Sequence, residues 1–289
     1  MANLDLRPLS LGEILDRTFS LYRRNFLLFI GITAIPQLLI LAMNLAGTLL
    51  SAAPALPRLP RPEQFQGRAA TGFLALGVGG AIVGLIVYFV AYLFAQGGTV
   101  YAVSDIYLGR RTSIGESLGR MKGQLGSLFG VLLLNGLVIM GATLFLIIPG
   151  IYMACRLLTC VPAALLEDLG PRASLERSFR LTKDYAGRAF VIYFLYAILF
   201  YGITILLALP LGFGIVAAAK DPSALRILTA LTHVVDFLAA VLISPILTIG
   251  TAVFYYDLRV RKEAFDLQMM MNPGGSIPAG RSSVPTMLS

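Results

Sequence analysis

The sequence predicts an all-α polytopic membrane protein with about six transmembrane helices, three amphipathic interfacial helices and a weak threefold parallel repeat. Three observations predict it. Hydrophobic residues make up 57% of the chain and charged residues 13%, against about 25% charged in a soluble domain. The apolar residues fall in runs long enough to supply the roughly 20 residues that a helix needs to cross the hydrocarbon core. The basic residues gather beside those runs and mostly on one side of them, where they set orientation and meet anionic lipid.

Taken in order, the chain opens on a charged stretch of helical pattern, and its first apolar run begins only near Phe26. A cleavable signal peptide is therefore not expected. Leu11, Ile14, Leu15, Thr18, Phe19 and Tyr22 form one stripe opposite Glu13, Arg17, Ser20 and Arg24, the pattern of a helix that lies on the inner leaflet. Spans follow at 26–50, 72–104, 126–148, 151–167, 189–209 and 226–256. A Pro-rich loop (51–71), a tight Pro149-Gly150 turn and residues 210–225 link them on one side. The N-terminus, 105–125, 168–188 and the C-terminal tail lie on the other. Seventeen of the 23 Lys and Arg residues fall on that second side, five on the first, and Arg156 inside a span. The positive-inside bias places both termini in the cytoplasm. Residues 1–265 read as one integral membrane domain, and the Gly/Pro/Ser-rich 266–289 as a disordered cytoplasmic tail.

Self-comparison gives the repeat, about 8–108, 111–168 and 171–262. SLGEILDRTFSLYRRNF, SIGESLGRMKGQLGSLF and ASLERSFRLTKDYAGRAF precede spans 1, 3 and 5, with Leu15/Arg17, Leu118/Arg120 and Leu175/Arg177 in register. Ser10/Glu13 and Ser113/Glu116 read as capping boxes, and Gly170-Pro171 as a proline start. GTVYAVSDIYLGRR and GTAVFYYDLRVRK close spans 2 and 6, aligning Gly98 with Gly250, Thr99 with Thr251 and Asp105 with Asp257. Asp168 stands at the same place after span 4. Each unit starts and ends on one side, so the repeats are parallel rather than inverted.

Two sets of candidate site residues follow. Asp105, Asp168 and Asp257 each end an inward-running helix, where the macrodipole is already negative and an acid needs a cation. Arg17, Arg120 and Arg177 are the expected partners, with Arg259 and Arg261 as local competitors. Such pairs either staple the interfacial helices or gate a cavity. Arg156, inside span 4, needs an acceptor, and Asp236 with His233 one turn earlier could supply it as an intramembrane polar set; the plainer reading is that Arg156 snorkels to an interface. Pro36, Pro162 and Pro245 fall inside spans and kink or pack them. Cys155 and Cys160 read as small core residues.

With one histidine there is no Ser/His/Asp or Cys/His arrangement and no metal-spaced His/Cys set, and the chain carries neither a P-loop nor a dinucleotide fingerprint. GVGGAIVG at 77–84 lies within a span and has no lysine, so helix packing explains it. No catalytic residue, cofactor or metal is expected, and no nucleic-acid partner.

LRPLSLGEILDRTFSLYRRNF, PGIYMACR, PAALLEDLGPRASLERSFRLTK and YYDLRVRKEAFDL resemble the membrane-domain family associated with glycerophosphoryl diester phosphodiesterases. The resemblance covers about residues 6–267 and is most specific in the last motif. It implies the membrane part alone, without the histidines and carboxylates of the phosphodiesterase barrel. It also implies a bacterial or archaeal plasma-membrane protein of the stand-alone kind. The expected function is a non-enzymatic membrane protein that organises or partners with other membrane proteins, its basic helices on anionic lipid. The alternative is a transporter or lipid-handling protein whose central cavity Arg156 and Asp236 line.

Overall fold

The computed structural model describes residues 7–50, 68–218 and 220–263, with side chains for all of these except 50, 68–79 and 81. Most of the Pro-rich loop (51–67), with Arg58 and Arg61, and the tail 266–289 lie outside the described residues. Among the described residues there are ten α-helices and no strand: α1 (Leu11–Arg24), α2 (Phe26–Leu50), α3 (Arg68–Tyr107), α4 (Ile114–Gly119) continued by a 3-10 turn (Arg120–Gly123), α5 (Leu125–Phe145), α6 (Ile147–Arg156), α7 (Cys160–Leu166), α8 (Pro171–Thr182), α9 (Ala186–Ala217) and α10 (Pro222–Glu263). Six stretches are long and apolar enough to cross a membrane: Phe26–Leu49, Ile82–Tyr107, Leu125–Phe145, Ile147–Leu166, Ala186–Ala217 and Pro222–Glu263. The chain is an all-α multi-pass membrane protein.

Local chemistry starts the shorter helices. Ser10 Oγ accepts from the Glu13 N–H at 3.3 Å, and Glu13 Oε2 accepts from the Ser10 N–H at 2.6 Å. Ser113 and Glu116 repeat the exchange at 3.3 and 2.9 Å. Each box satisfies donors that a helix start leaves open. Pro171 opens α8 behind Gly170, where its missing N–H costs no bond. On α1, Ile14 and Thr18, one turn apart, are buried while Phe19 stays exposed, so the stripe read from the sequence is only partly covered.

Three link positions differ from the sequence reading. The turn between spans 3 and 4 is the single extended residue Leu146, three residues before the expected Pro149-Gly150. Pro149 instead sits in the first turn of α6, whose N–H groups have no intrahelical partner in any case. Gly150 then lets α5 approach, since a Cβ there would meet Thr143 Oγ1 at 2.1 Å and its Cα at 2.9 Å. The expected link 210–225 shrinks to a few residues, because α9 runs through Pro210 to Ala217 and α10 begins at Pro222. An apolar medium cannot hydrate freed backbone groups, so the helix continues past its proline. Span 4 is two helices, α6 and α7, and Pro162 falls in the first turn of α7 rather than kinking a continuous span. Pro36, Pro210 and Pro245 do lie inside helices.

The chain forms two compact units. The first comprises residues 1–32, 96–197 and 245–289, and the second 33–95 and 198–244. Of the expected repeats, only 111–168 lies within one unit. In the first unit the end of α10 is the core: Phe254, Tyr255, Tyr256, Leu258 and Arg259 are fully buried. Tyr256 stacks on Tyr107 at 4.8 Å between ring centres and shares a 2.7 Å hydrogen bond with Ser104. Gly97 and Gly98 let α4 and its 3-10 turn lie on α3, since a Cβ would stand 2.1 Å from Met121 and 2.9 Å from Leu118. Cys155 and Cys160 are buried free thiols. In the second unit, Thr33 Oγ1 donates to the Val241 carbonyl at 3.4 Å. The outer faces are apolar, with Leu144 and Phe145 each 82% exposed, as surface against acyl chains should be.

Candidate functional site: a buried ion network and a cavity with polar groups

Three helices of the first unit, α7, α8 and α10, bring charged side chains into its core. Arg177, on α8, is 6% exposed. Its Nε and Nη2 donate to both oxygens of Glu167 at 2.8–2.9 Å, and Nη2 also reaches Glu263 at 2.8 Å. Nη1 donates to the other Glu263 oxygen. Arg259, wholly buried, donates to Glu263 at 3.1 Å and lies 3.9 Å from Glu167. Tyr255 adds its hydroxyl to Glu167 at 2.6 Å. Two carboxylates and two guanidiniums thus close a charge-neutral network. Burial opposes the Arg177 charge, but its hydrogen bonds to Glu263 and Glu167 more than offset that and raise its pKa above the ordinary arginine value.

A second junction ties the N-terminal segment to α10. Asp257, 1% exposed, accepts from the Leu9 N–H at 2.7 Å and from Arg261 Nε at 2.9 Å, with Arg188 at 3.6 Å. Arg188 returns a 3.1 Å bond to the Leu9 carbonyl, which Arg261 also reaches. Both backbone groups of Leu9 are therefore held by charged side chains.

The structure sorts the expected acid–base pairs. Arg120 and Asp105 meet at 3.0 Å. One nitrogen faces both carboxylate oxygens, and Oδ2 gets no hydrogen bond of proper geometry. Asp257 takes Arg261 and Arg188. Arg17 donates to the Tyr107 hydroxyl at 3.1 Å and lies over its ring at 5.0 Å. Asp168 is exposed and accepts from Gln124 at 2.8 Å, while Arg177 takes the preceding acid, Glu167. The cause is the end of α7. Glu167 caps the helix and Asp168 turns to φ +52°, so the inward direction falls one residue earlier than in the unbroken helices α3 and α10. Glu167 there occupies the register of Ser104 and Tyr256, both buried. Glu263 was legible only as the i+4 neighbour of Arg259, and Arg188 only as one of a basic run.

Arg156 and the set formed by Asp236 and His233 fall in different units. Arg156 ends α6 and donates to the Phe179 carbonyl at 2.7 Å, to Tyr152 at 2.9 Å and to Thr182 at 3.2 Å. Its own carbonyl, freed at the break before α7, accepts from Ser178 at 2.8 Å and Thr182 at 2.9 Å. It thus fastens α6 to α8. Asp236 and His233 line a cavity of about 210 Å³ in the second unit, together with Gln37, Asn44 and Thr204. Among the described residues no group of three or more His, Cys, Asp or Glu side chains could hold a metal ion. Comparison with family models, with curated proteins and with solved structures finds no match to this chain.

Proposed function

We propose that this is a non-enzymatic plasma-membrane protein that organises or partners with other membrane proteins, its basic side facing the cytoplasm and anionic lipid. The observation that carries the reading is the division of labour among the charges of the first unit. Arg177 and Arg259 are consumed by buried carboxylates, whereas Arg23, Arg24, Arg110, Arg111 and Lys122 remain exposed. A neutral lock fixes the helix ends, and the free cations form a rigid basic face suited to lipid phosphates. Closed ion pairs among helix ends favour the staple over the gate. The motif resemblance to the phosphodiesterase-associated membrane domains supports the same reading and brings no catalytic residue with it.

The test is thermal stability in nanodiscs of phosphatidylglycerol against phosphatidylcholine. The anionic lipid is expected to raise Tm, and glutamine at Arg23, Arg24, Arg110 and Arg111 to abolish the gain. Equal stability in the two lipids would overturn the lipid-facing part. A transporter or lipid-handling role is the second reading, and the cavity of the second unit is the observation in its favour. That cavity draws on Asp236 and His233, while Arg156 serves the packing of the first unit.

A further inference from the structure

The cavity of the second unit is mostly apolar, and polar side chains from three helices enter its lining. Gln37 and Asn44 are seven residues apart on α2, and His233 and Asp236 three apart on α10; both spacings keep a pair on one helical face. Thr204 on α9 completes the set. None of the five makes a side-chain hydrogen bond with another described residue, and Thr204 Oγ1 is buried without a partner. A helical threonine ordinarily bonds to the carbonyl one turn back, as Thr229 and Thr232 do at 2.8 and 3.0 Å. The Thr204 hydroxyl forgoes that bond and is left for whatever occupies the cavity. Polar groups in a membrane span that the protein does not satisfy mark a ligand or a wet site.

The chemistry of the lining selects the ligand. Asp236 is the single formal charge, so an anion is repelled. A divalent cation wants several charged oxygens in a six- to eightfold shell, and one carboxylate does not supply them. The amide oxygens of Gln37 and Asn44, the Thr204 hydroxyl and the Asp236 carboxylate are together acceptors for the N–H donors of an ammonium group. Phe200 and Phe237 also line the cavity, and aromatic faces attract such cations. The apolar remainder suits a short alkyl body. The ≈ 210 Å³ of space equals about seven waters at roughly 30 Å³ each, enough for an amine of a few carbons. Asn44 and Asp236 are exposed while Gln37, Thr204 and His233 are partly covered, so the cavity opens on the Asn44–Asp236 side.

We propose that this cavity binds a primary alkylammonium group, carried by a free amine or by an aminated lipid headgroup. Two measurements on the full chain separate these sources. Calorimetric titration with ethanolamine, in detergent free of amino-lipid, reads the free amine. Native mass spectrometry after equilibration with equal amounts of phosphatidylethanolamine, phosphatidylcholine and phosphatidylglycerol reads the headgroup. Saturable ethanolamine binding, weakened about tenfold or more by Asp236→Asn as expected for loss of a charge-assisted contact, assigns a free amine. Preferential retention of phosphatidylethanolamine that Asp236→Asn removes assigns the headgroup. Thr204→Val, nearly isosteric, should weaken whichever binding occurs and decides the matter if Asp236→Asn does not fold. Absence of both signals in the wild type, or binding unchanged in both variants, overturns the site.

Discussion

In the first unit Glu167, Arg177, Arg259 and Glu263 satisfy one another at 2.8–3.1 Å, whereas in the second unit the side chains of Gln37, Asn44, Thr204, His233 and Asp236 line a cavity and make no hydrogen bond to a described neighbour. Both sets are polar groups that a membrane protein carries at a cost. The difference lies in what offsets the cost. A closed network is repaid by internal pairing, so its loss registers as lost stability. An open set is repaid by an occupant, so its loss registers in binding and hardly in folding. Substitutions in the two units should therefore differ in size and even in sign.

Arg177 should give the largest effect. Arg177→Met leaves Glu167 and Glu263 with one guanidinium between them, and breaking a buried pair by removing one partner costs about 3–5 kcal/mol. Measured as reversible unfolding in mixed micelles, Arg177→Met with Glu167→Gln should lose less than the sum of the single changes, since the two are in direct contact. Strict additivity would show that the network is not a unit. At the second junction, Asp257→Asn removes the charge that holds the Leu9 N–H, Arg261 and Arg188. Hydrogen bonds to charged groups contribute about 1.5–3 kcal/mol, so a loss in that range is expected. Hydrogen exchange at the Leu9 N–H should quicken in parallel.

Asp105→Asn and Asp168→Asn sharpen the comparison inside the repeat itself. The sequence aligns these two aspartates, yet the structure buries the first against Arg120 and exposes the second. Asp105→Asn is expected to cost about 1–2 kcal/mol, as for a buried charged acceptor with a half-exposed partner. Asp168→Asn should stay within about 0.5 kcal/mol, the ordinary range for a surface change. Equal losses would restore the threefold equivalence read from the sequence.

That contrast also shows where the sequence stops being informative. Helix starts were legible because their chemistry is local: Ser10 with Glu13, Ser113 with Glu116, and Pro171 each act within one turn of chain. The spans were legible because hydrocarbon demands a length of apolar residues. Partner identities were not, since Arg177 chooses Glu167 over Asp168 only because α7 ends there and shifts the side-chain direction by one residue. The persistence of α9 past Pro210 was likewise hidden, because proline reads as a helix end in water and not in a membrane. The cavity was half visible in Asp236 and His233, but Gln37, Asn44 and Thr204 come from helices far apart in the chain.

Thr204→Val tests the opposite sign. Its hydroxyl is buried without a partner, and an unsatisfied buried polar group costs about 1–3 kcal/mol. In protein stripped of bound amines and lipids, the valine variant should be as stable as the wild type or up to about 1 kcal/mol more stable, part of the penalty already being relieved by water. A clear loss would mean that Thr204 belongs to a closed network after all.

A small effect is expected from Glu13 in the capping box of α1, and pH isolates it. Hydrogen bonds from the Ser10 backbone and side chain, with Arg7 beside them, lower the Glu13 pKa from 4.5 to about 2. A carboxylate held below its unfolded value contributes stability that is complete above the unfolded pKa and is lost as pH falls through the folded one. The window is therefore pH 4.5 down to about 2, with the native state less protonated than the unfolded chain throughout. Glu13→Gln keeps an amide oxygen for the Ser10 N–H but cannot titrate. Other carboxylates titrate in the same range in both proteins, so the difference between their melting curves reports Glu13. Wild type should exceed Glu13→Gln slightly at pH 6, and the gap should narrow steadily between pH 4.5 and 3. Ser10→Ala, which removes the hydroxyl half of the box, should cost about 1 kcal/mol and shrink that pH-dependent gap. A gap that stays constant with pH would mean that the Glu13 carboxylate is as free in the folded protein as in the unfolded one.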